Sequence, residues 1–250
     1  MQRYFLQEPY EAKAVFAVSG EPFHHMIRVM RMKPQDQVYL VFADQTAIIA
    51  EVAAVAEGNV LVREVAKELQ DKELPVAITI ASGYPKGDKL EWIVQKGTEL
   101  GAAAFIGFPA KASVVKWDEK KLAKKQQRLE KIAQEAAEQS QRQVTPTVRL
   151  LADSGSFYRL LADYDYVLVT YEESAKAGES AKLVQLLQQA APGARLLAVF
   201  GPEGGIMQEE IEKLTAAGGL LCGLGPRILR TETAPLYLLS AAGYQLELLH

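Results

Sequence analysis

Residues 76–108 read VAITIASGYPKGDKLEWIVQKGTELGAAAFIGF, with two apolar runs on either side of a helical segment. The runs "VAITIAS" and "AAAFIGF" have the length and composition of buried strands. Between them, "GDKLEWIVQKGTELG" predicts a helix with Asp88 as N-cap, Glu91 three residues later and Gly101 at its end. The same alternation continues to the C-terminus and gives five predicted strands. It therefore predicts an α/β fold with a mostly parallel sheet covered by helices on both faces.

The first 70 residues have a different pattern, with short apolar runs separated by turn residues. The runs are "AVFAV", "QVYLVF", "TAIIAEVAAV" and "NVLVREV". Many short strands hide their edges best by closing, so a small β-barrel is expected. We therefore predict a barrel domain over 1–70, a linker over 71–75 and an α/β domain over 76–250.

Composition excludes several classes of protein. The 250 residues are 49% apolar and 24% charged, as in soluble globular proteins. No apolar run approaches the roughly 18 residues that a membrane span needs, and the N-terminal residues do not resemble a signal peptide. A single cysteine, Cys222, excludes an internal disulfide and fits a cytoplasmic protein. Three histidines and one cysteine without metal-ligand spacing argue against a metal site.

The net charge of −3 conceals two basic clusters. Residues 111–131 carry eight lysines and arginines against three acids, with Lys111 and Lys116 at their start. The stretch "HHMIRVMRMK" adds His24, His25, Arg28, Arg31 and Lys33 with no acid among them. Such clusters could bind a phosphate backbone, although lysines that merely solvate a helix explain residues 111–131 equally simply.

Three predicted strands of the α/β domain end in loops of unusual composition. These are "TYEE" at 170–173, "GPEGG" at 201–205 (the 201–205 turn) and "GLGPRILRTET" at 223–233 (the 223–233 loop). In open parallel sheets, ligands bind beyond the carboxyl ends of the strands. The acidic first turn of the helix after the 201–205 turn disfavours an anion, and P-loop and dinucleotide motifs are missing. An uncharged or cationic ligand held by backbone groups fits these loops better than an anion. The alternative is that the 201–205 turn and the 223–233 loop are tight turns on neighbouring strands and bind no ligand.

The 223–233 loop also carries polar side chains. Thr233, followed by Pro235, is predicted to cap the last helix. Arg227, Arg230 and Glu232 are then left for function, and arginines beside a pocket commonly bind a polar ligand or a phosphate.

The 201–205 turn, followed by "LGPRILRTETA", resembles the signature of the bacterial 16S rRNA (uracil-N3)-methyltransferase family, RsmE type, of the SPOUT superfamily. The segments "RYF", "HHMIRVMR", "KGDKLEWIVQKGTELG" and "EKIAQEAAEQSQR" resemble that family's blocks in the same order. One departure is Gly97, which stands in a helix where the family usually has alanine.

The resemblance implies a PUA-like barrel followed by a SPOUT α/β domain with a C-terminal trefoil knot, working as a cytoplasmic homodimer. It also implies S-adenosylmethionine as cofactor and 16S rRNA or the small ribosomal subunit as partner, without a metal. The implied cofactor residues are Thr170, Glu172, Gly201, Pro202, Glu203, Gly204, Gly205, Leu224, Gly225, Arg227, Ile228, Leu229, Arg230, Thr233 and Ala234.

Methylation of uracil N3 requires loss of its proton. We expect Arg230, with Arg3 as a helper, to stabilise the uridine anion and Glu232 to be a candidate base, or else to pair with an arginine. The implied RNA-binding residues are Arg3, His24, His25, Arg28, Arg31, Lys111 and Lys116. The alternatives are a SPOUT enzyme acting at another RNA position and a non-catalytic RNA-binding or assembly protein with a vestigial pocket. A Rossmann-type hydrolase is less compatible because its motifs are missing.

Overall fold

The computed structural model describes residues 1–173 and 181–249. The chain folds into two compact units. The first unit comprises Met1–Glu73 and Glu138–Val144, and the second comprises Leu74–Ala137 and Thr145–His250. The predicted boundaries did not anticipate that 138–144 belongs to the first unit. Glu73 explains it, because its carboxylate pairs with Arg142 and accepts hydrogen bonds from the backbone N–H groups of Gln143 and Val144.

The first unit is built on a five-stranded sheet. Its elements are β1 Gln2–Phe5, β2 Phe16–Ser19, α1 Gly20–His24, β3 Gln37–Val41, β4 Ala47–Ala56 and β5 Asn59–Lys67. The strand order is β1-β3-β4-β5-β2, with β1 parallel to β3 and the remaining pairs antiparallel. This order has two end strands, so closure of the barrel stays a prediction. A π-helical turn, His25–Val29, follows α1 directly.

The second unit alternates strands and helices. Its elements are β6 Ala77–Gly83, α2 Lys89–Glu99, β7 Ala104–Phe108, α3 Glu119–Gln139, β8 Thr147–Leu150, α4 Ser154–Leu160, β9 Tyr166–Thr170, α5 Lys182–Gln189, β10 Arg195–Phe200, α6 Gln208–Ala216, β11 Leu220–Cys222 and α7 Ala234–Gly243. All described strand pairs of this sheet are parallel, in the order β11-β9-β10-β6-β7-β8. No helix in the described residues is long and apolar enough to cross a bilayer.

Both faces of the parallel sheet are covered, as predicted. Along β10, Leu196, Ala198 and Phe200 belong to one apolar core, whereas Leu197 and Val199 belong to another. Successive side chains of a strand point to opposite faces, so the two cores lie on opposite sides of the sheet. The α/β prediction is confirmed.

Two local predictions need correction. Six strands form the sheet rather than five, since β8 was missed. Asp88 stands at the N-cap of α2, but its φ of −99° and ψ of 13° are not the extended values of a capping residue, and its side chain makes no capping hydrogen bond. Glu91 pairs with Arg128 at 2.7 Å instead of completing a capping box. Gly101 ends the helix as predicted, with a φ of +92° that favours glycine.

Gly97 is explained by its neighbour Phe105. A Cβ atom at Gly97 would lie 2.7 Å from Cε1 and 2.9 Å from Cζ of the Phe105 ring, which is buried. We expect Gly97→Ala to lower the free energy of unfolding by about 1–3 kcal/mol despite alanine's higher helix propensity. Urea denaturation would measure this.

Gly243, in α7, provides the matched control. A Cβ atom there would meet only the end of the flexible Glu247 side chain, at 3.2 Å. Gly243→Ala should be neutral or stabilise by up to about 1 kcal/mol. Equal effects of the two substitutions would contradict the packing explanation.

Candidate functional site

A cavity of about 700 Å³ lies beyond the carboxyl ends of β9, β10 and β11. These strands are adjacent in the sheet, with β9 between the other two. The sequence predicted the 201–205 turn and the 223–233 loop on neighbouring strands. That prediction was wrong, because β9 lies between β10 and β11, but both segments line one cavity. Its lining residues are Lys89, Thr170–Glu173, Phe200–Ile206, Cys222, Leu224–Thr231 and Ala234.

Most predicted cofactor residues line this cavity. The structure brings together Thr170, Glu172, Gly201, Pro202, Glu203, Gly204, Gly205, Leu224, Gly225, Arg227, Ile228, Leu229, Arg230 and Ala234. Thr233 does not line it. Thr233 stands at the N-cap of α7, but its φ of −91° and ψ of −36° are helical and its side chain makes no capping hydrogen bond.

The 201–205 turn is folded tightly on itself. A Cβ atom at Gly201 would lie 2.6 Å from the carbonyl carbon of Gly205 and 2.9 Å from the backbone nitrogen of Ile206. Only glycine fits where backbone approaches backbone so closely. Gly205 itself has a φ of +75°, which favours glycine for a different reason.

A hydrogen bond joins the 223–233 loop to the 201–205 turn. The Thr231 hydroxyl donates to the carbonyl oxygen of Gly201 at 2.7 Å. The Thr170 hydroxyl, at the end of β9, donates to the carbonyl oxygen of Val199 at 2.9 Å. These two hydroxyl groups hold the loops in place, and glycine backbone lines the cavity.

Lys89 joins the same two loops through its charge. Its Nζ lies 3.0 Å from Oε1 of Glu203 and 3.2 Å from Oε2 of Glu232. Glu203 raises the pKa of Lys89 through a hydrogen bond, and Glu232 adds to this. Burial alone would raise the pKa of Glu203, but Lys89 and backbone N–H groups outweigh it and hold that pKa below its usual value. Sequence reasoning missed Lys89, because its partners lie far away along the chain.

Glu232 thus has a lysine partner rather than the predicted arginine. Its side chain does not line the cavity. Arg227 and Arg230 do line it, are exposed, and form no ion pair in the described part of the chain. The cavity therefore carries two arginines whose charges are available to a ligand.

The loop after β7 packs against the 201–205 turn and carries part of the basic cluster. A Cβ atom at Gly204 would lie 2.9 Å from Cβ of Ala112. Next to Ala112, Lys111 pairs with Glu209, and its backbone N–H donates to Glu210 at 3.0 Å. Lys116 is exposed. Lys111 thus lies close to the cavity, but its side chain is already paired with Glu209.

Arg3, in the first unit, is buried. Its Nη2 lies 2.8 Å and 2.7 Å from the two carboxylate oxygens of Glu68, and its guanidinium stacks on the Tyr39 ring at 4.6 Å. The side chain has no exposed surface. A guanidinium enclosed in this way serves the core of its own unit, so the structure supports neither predicted role of Arg3, catalytic or RNA-binding.

The two adjacent histidines differ in their surroundings. The Nδ1 atom of His25 lies 2.9 Å from the hydroxyl of Tyr4, and the two rings pack edge to face. His24, Arg28 and Arg31 are exposed. His25 is thus held by the core, and the exposed basic side chains of this segment are His24, Arg28, Arg31 and Lys33.

Comparisons with known proteins agree with this architecture. A family model described as an RNA methyltransferase domain matches residues 72–243, and one described as an RNA methyltransferase PUA domain matches residues 18–65. Ribosomal RNA small subunit methyltransferase E of Bacillus subtilis is 49% identical over 100% of this chain and 98% of its own.

Two solved structures have the same fold along nearly their whole length. A Legionella pneumophila protein with bound SAM has a TM-score of 0.80 and 29% identity over 96% of both chains. Ribosomal RNA small subunit methyltransferase E of Neisseria gonorrhoeae, bound to S-adenosyl methionine, has a TM-score of 0.79 and 26% identity over 97% of both chains. The chain belongs to the ribosomal RNA small subunit methyltransferase E family of RNA methyltransferases.

Proposed function

We propose that this protein transfers a methyl group from S-adenosylmethionine to N3 of one uridine in 16S rRNA of the small ribosomal subunit. The single observation that carries the proposal is the cavity at three adjacent strand ends, with glycine backbone on its walls and two available arginines. Relatives named as small subunit rRNA methyltransferases, one of them with bound S-adenosyl methionine, support it. The position of the methyl group rests on the family resemblance.

The cofactor is proposed to bind between the 201–205 turn and the 223–233 loop. The cavity's 700 Å³ lies within the range of about 300–1,000 Å³ typical of small-molecule sites. Of the predicted cofactor residues, those that line the cavity are kept in the proposal, and Thr233 is not. Backbone amides and carbonyls of the two segments would hold the cofactor, which supplies an electrophilic methyl group on a sulfonium.

The chain's own residues must orient the uridine and stabilise its anion. The N3 proton would pass to solvent, the electron pair left on N3 would form the new N–C bond, and the C–S bond would break with its electrons remaining on sulfur. We assign anion stabilisation to Arg230, because its exposed guanidinium lines the cavity without an ion pair in residues 1–173 and 181–249. Glu232 is not retained as the base, since it does not line the cavity and its Oε2 is paired with the Lys89 ammonium at 3.2 Å.

Substitution of Arg230 tests its assignment. We expect Arg230→Met to lower kcat by about 100- to 1,000-fold, as loss of a transition-state donor does, with a smaller change in S-adenosylmethionine affinity. Single-turnover methylation and calorimetry would separate the two quantities. Arg227→Met, at the other proposed cofactor-binding arginine of this loop, is the comparison: it should weaken S-adenosylmethionine binding but retain most of kcat at saturating cofactor. Equal losses in both variants would contradict a specific role for Arg230.

RNA binding is proposed for the first unit and for the loop after β7. The proposed contacts with phosphate come from exposed basic side chains: His24, Arg28, Arg31 and Lys116, with Lys111 after it leaves Glu209. A target uridine must leave its stack to reach a cavity of this kind.

Three further features are part of the proposal: a C-terminal trefoil knot of SPOUT type, a homodimer and a cytoplasmic location. All three are proposed from the family resemblance.

Mass mapping of methyl groups on small-subunit rRNA tests the function directly. The wild-type protein, stripped of metal by a chelator that is then removed, would be incubated with labelled S-adenosylmethionine and either free 16S rRNA or assembled subunits. One methylated uridine at N3 is the expected product, formed without added metal. Methylation of a different base or atom would replace the proposed position, and no transfer to either substrate would favour a non-catalytic RNA-binding protein.

A further inference from the structure

We infer that Lys89 is a positioning residue whose ammonium holds the 201–205 turn and the 223–233 loop together as one cofactor cavity. The inference rests on the proposed function, because the two segments that Lys89 joins are those proposed to bind S-adenosylmethionine.

The geometry places one cation between carboxylates from two different loops. Glu203 belongs to the turn after β10 and Glu232 to the loop after β11, while Lys89 is the first residue of α2. The side chains are 33% exposed for Lys89, 30% for Glu203 and 20% for Glu232, so water screens the charges only in part. The backbone N–H of Lys86 also donates to Glu203 at 3.1 Å, which fixes the carboxylate against the segment before α2.

Removing the cation would leave the two carboxylates without their shared partner. Both lie within 3.2 Å of the same Nζ atom, so two negative charges would face each other across a small gap. Their repulsion would push the two loops apart. Of the side-chain contacts described between these loops, only the hydrogen bond from Thr231 to Gly201 would then oppose this movement. Because Lys89 itself lines the cavity, this change would occur at the cavity wall.

The first measurement compares S-adenosylmethionine affinity among lysine variants of the full chain by calorimetry. We expect Lys89→Met to weaken binding about tenfold and Lys89→Arg, which keeps the charge, to restore it to within about threefold. Lys96→Met is the matched control, because Lys96 lies on the same helix, pairs with Glu99 at 2.7 Å and does not line the cavity. Its affinity should equal that of the wild type.

A combined variant separates charge bridging from direct contact with the cofactor. If Lys89 acts by neutralising the two carboxylates, adding Glu232→Gln, which removes one of the two facing charges at a residue that does not line the cavity, should recover most of the affinity lost in Lys89→Met. If Lys89 instead contacts the cofactor or only supports folding, the additional change will not restore binding. S-adenosylhomocysteine, which lacks the sulfonium charge, should lose affinity by the same factor as S-adenosylmethionine, because the defect lies in the shape of the cavity.

Each outcome has a definite reading. Weak binding by Lys89→Met with recovery in the combined variant supports the inference. Unchanged binding by Lys89→Met, or loss without recovery, overturns it while leaving the proposed function intact. Failure of the wild-type protein to bind S-adenosylmethionine would instead reject the proposed cofactor site itself.

Discussion

Replacing Gly201 by alanine is expected to reduce S-adenosylmethionine affinity by about 100-fold, or roughly 3 kcal/mol. The added methyl group would lie 2.6 Å from the carbonyl carbon of Gly205 and 2.9 Å from its Cα. These are backbone atoms, so a change of side-chain rotamer cannot relieve the clash. The 201–205 turn would have to open, and the Gly201 carbonyl would then lose the hydrogen bond from Thr231. Calorimetric titration of the cofactor measures the effect.

Gly205→Ala is the comparison that isolates the clash. A Cβ atom there meets nothing within 4 Å, although the φ of +75° makes alanine strained. The strain of a left-handed residue amounts to about 1–2 kcal/mol, so we expect a clearly smaller loss of affinity. Equal losses at both positions, or unchanged binding by Gly201→Ala, would contradict the description of this turn.

Replacing Glu68 by alanine is expected to lower the free energy of unfolding of the first unit by about 3–5 kcal/mol, because it leaves the buried Arg3 charge unpaired. Glu68 binds Arg3 through both carboxylate oxygens and also pairs with Lys72 at 2.5 Å. Chemical denaturation followed by amide exchange in β1 and β5 would assign the loss to this unit. Glu51→Ala, which removes the half-buried partner of the exposed Arg63, is the control and should cost no more than about 1 kcal/mol.

The same ion pair predicts a dependence of stability on pH. Burial tends to raise the pKa of Glu68, but hydrogen bonds from Lys72 and Arg3 outweigh burial and hold the pKa below its usual 4.5. The pKa is therefore lower in the folded than in the unfolded state, and the stabilisation is complete above pH 4.5 and decreases below it. In Glu68→Ala this part of the acid dependence should be missing.

The sequence allowed prediction of those features that depend on local patterns. Apolar runs of strand length alternating with helical segments indicated the parallel sheet, and Gly101 indicated the end of α2. Glycine-rich stretches after β10 and β11 indicated the cavity, because parallel strands place their carboxyl ends at one edge of the sheet. β8 was missed because only Val148 of its four residues is buried, so no apolar run marks it.

Features that depend on distant partners could not be predicted in this way. Arg3 looked like an available cation, yet Glu68 and Tyr39 enclose it within the first unit. Lys89 looked like an ordinary helix residue, although folding places it between Glu203 and Glu232. The order of the strands in the sheet also depends on distant contacts. The position of β9 between β10 and β11 was therefore not predicted.

A crystal structure of the wild-type protein with S-adenosylhomocysteine tests the central claim most directly. We predict ligand density between the 201–205 turn and the 223–233 loop, with ligand atoms in hydrogen-bond contact with backbone groups of both segments. Density at another place on the protein, or contact with only one of the two segments, would contradict the account.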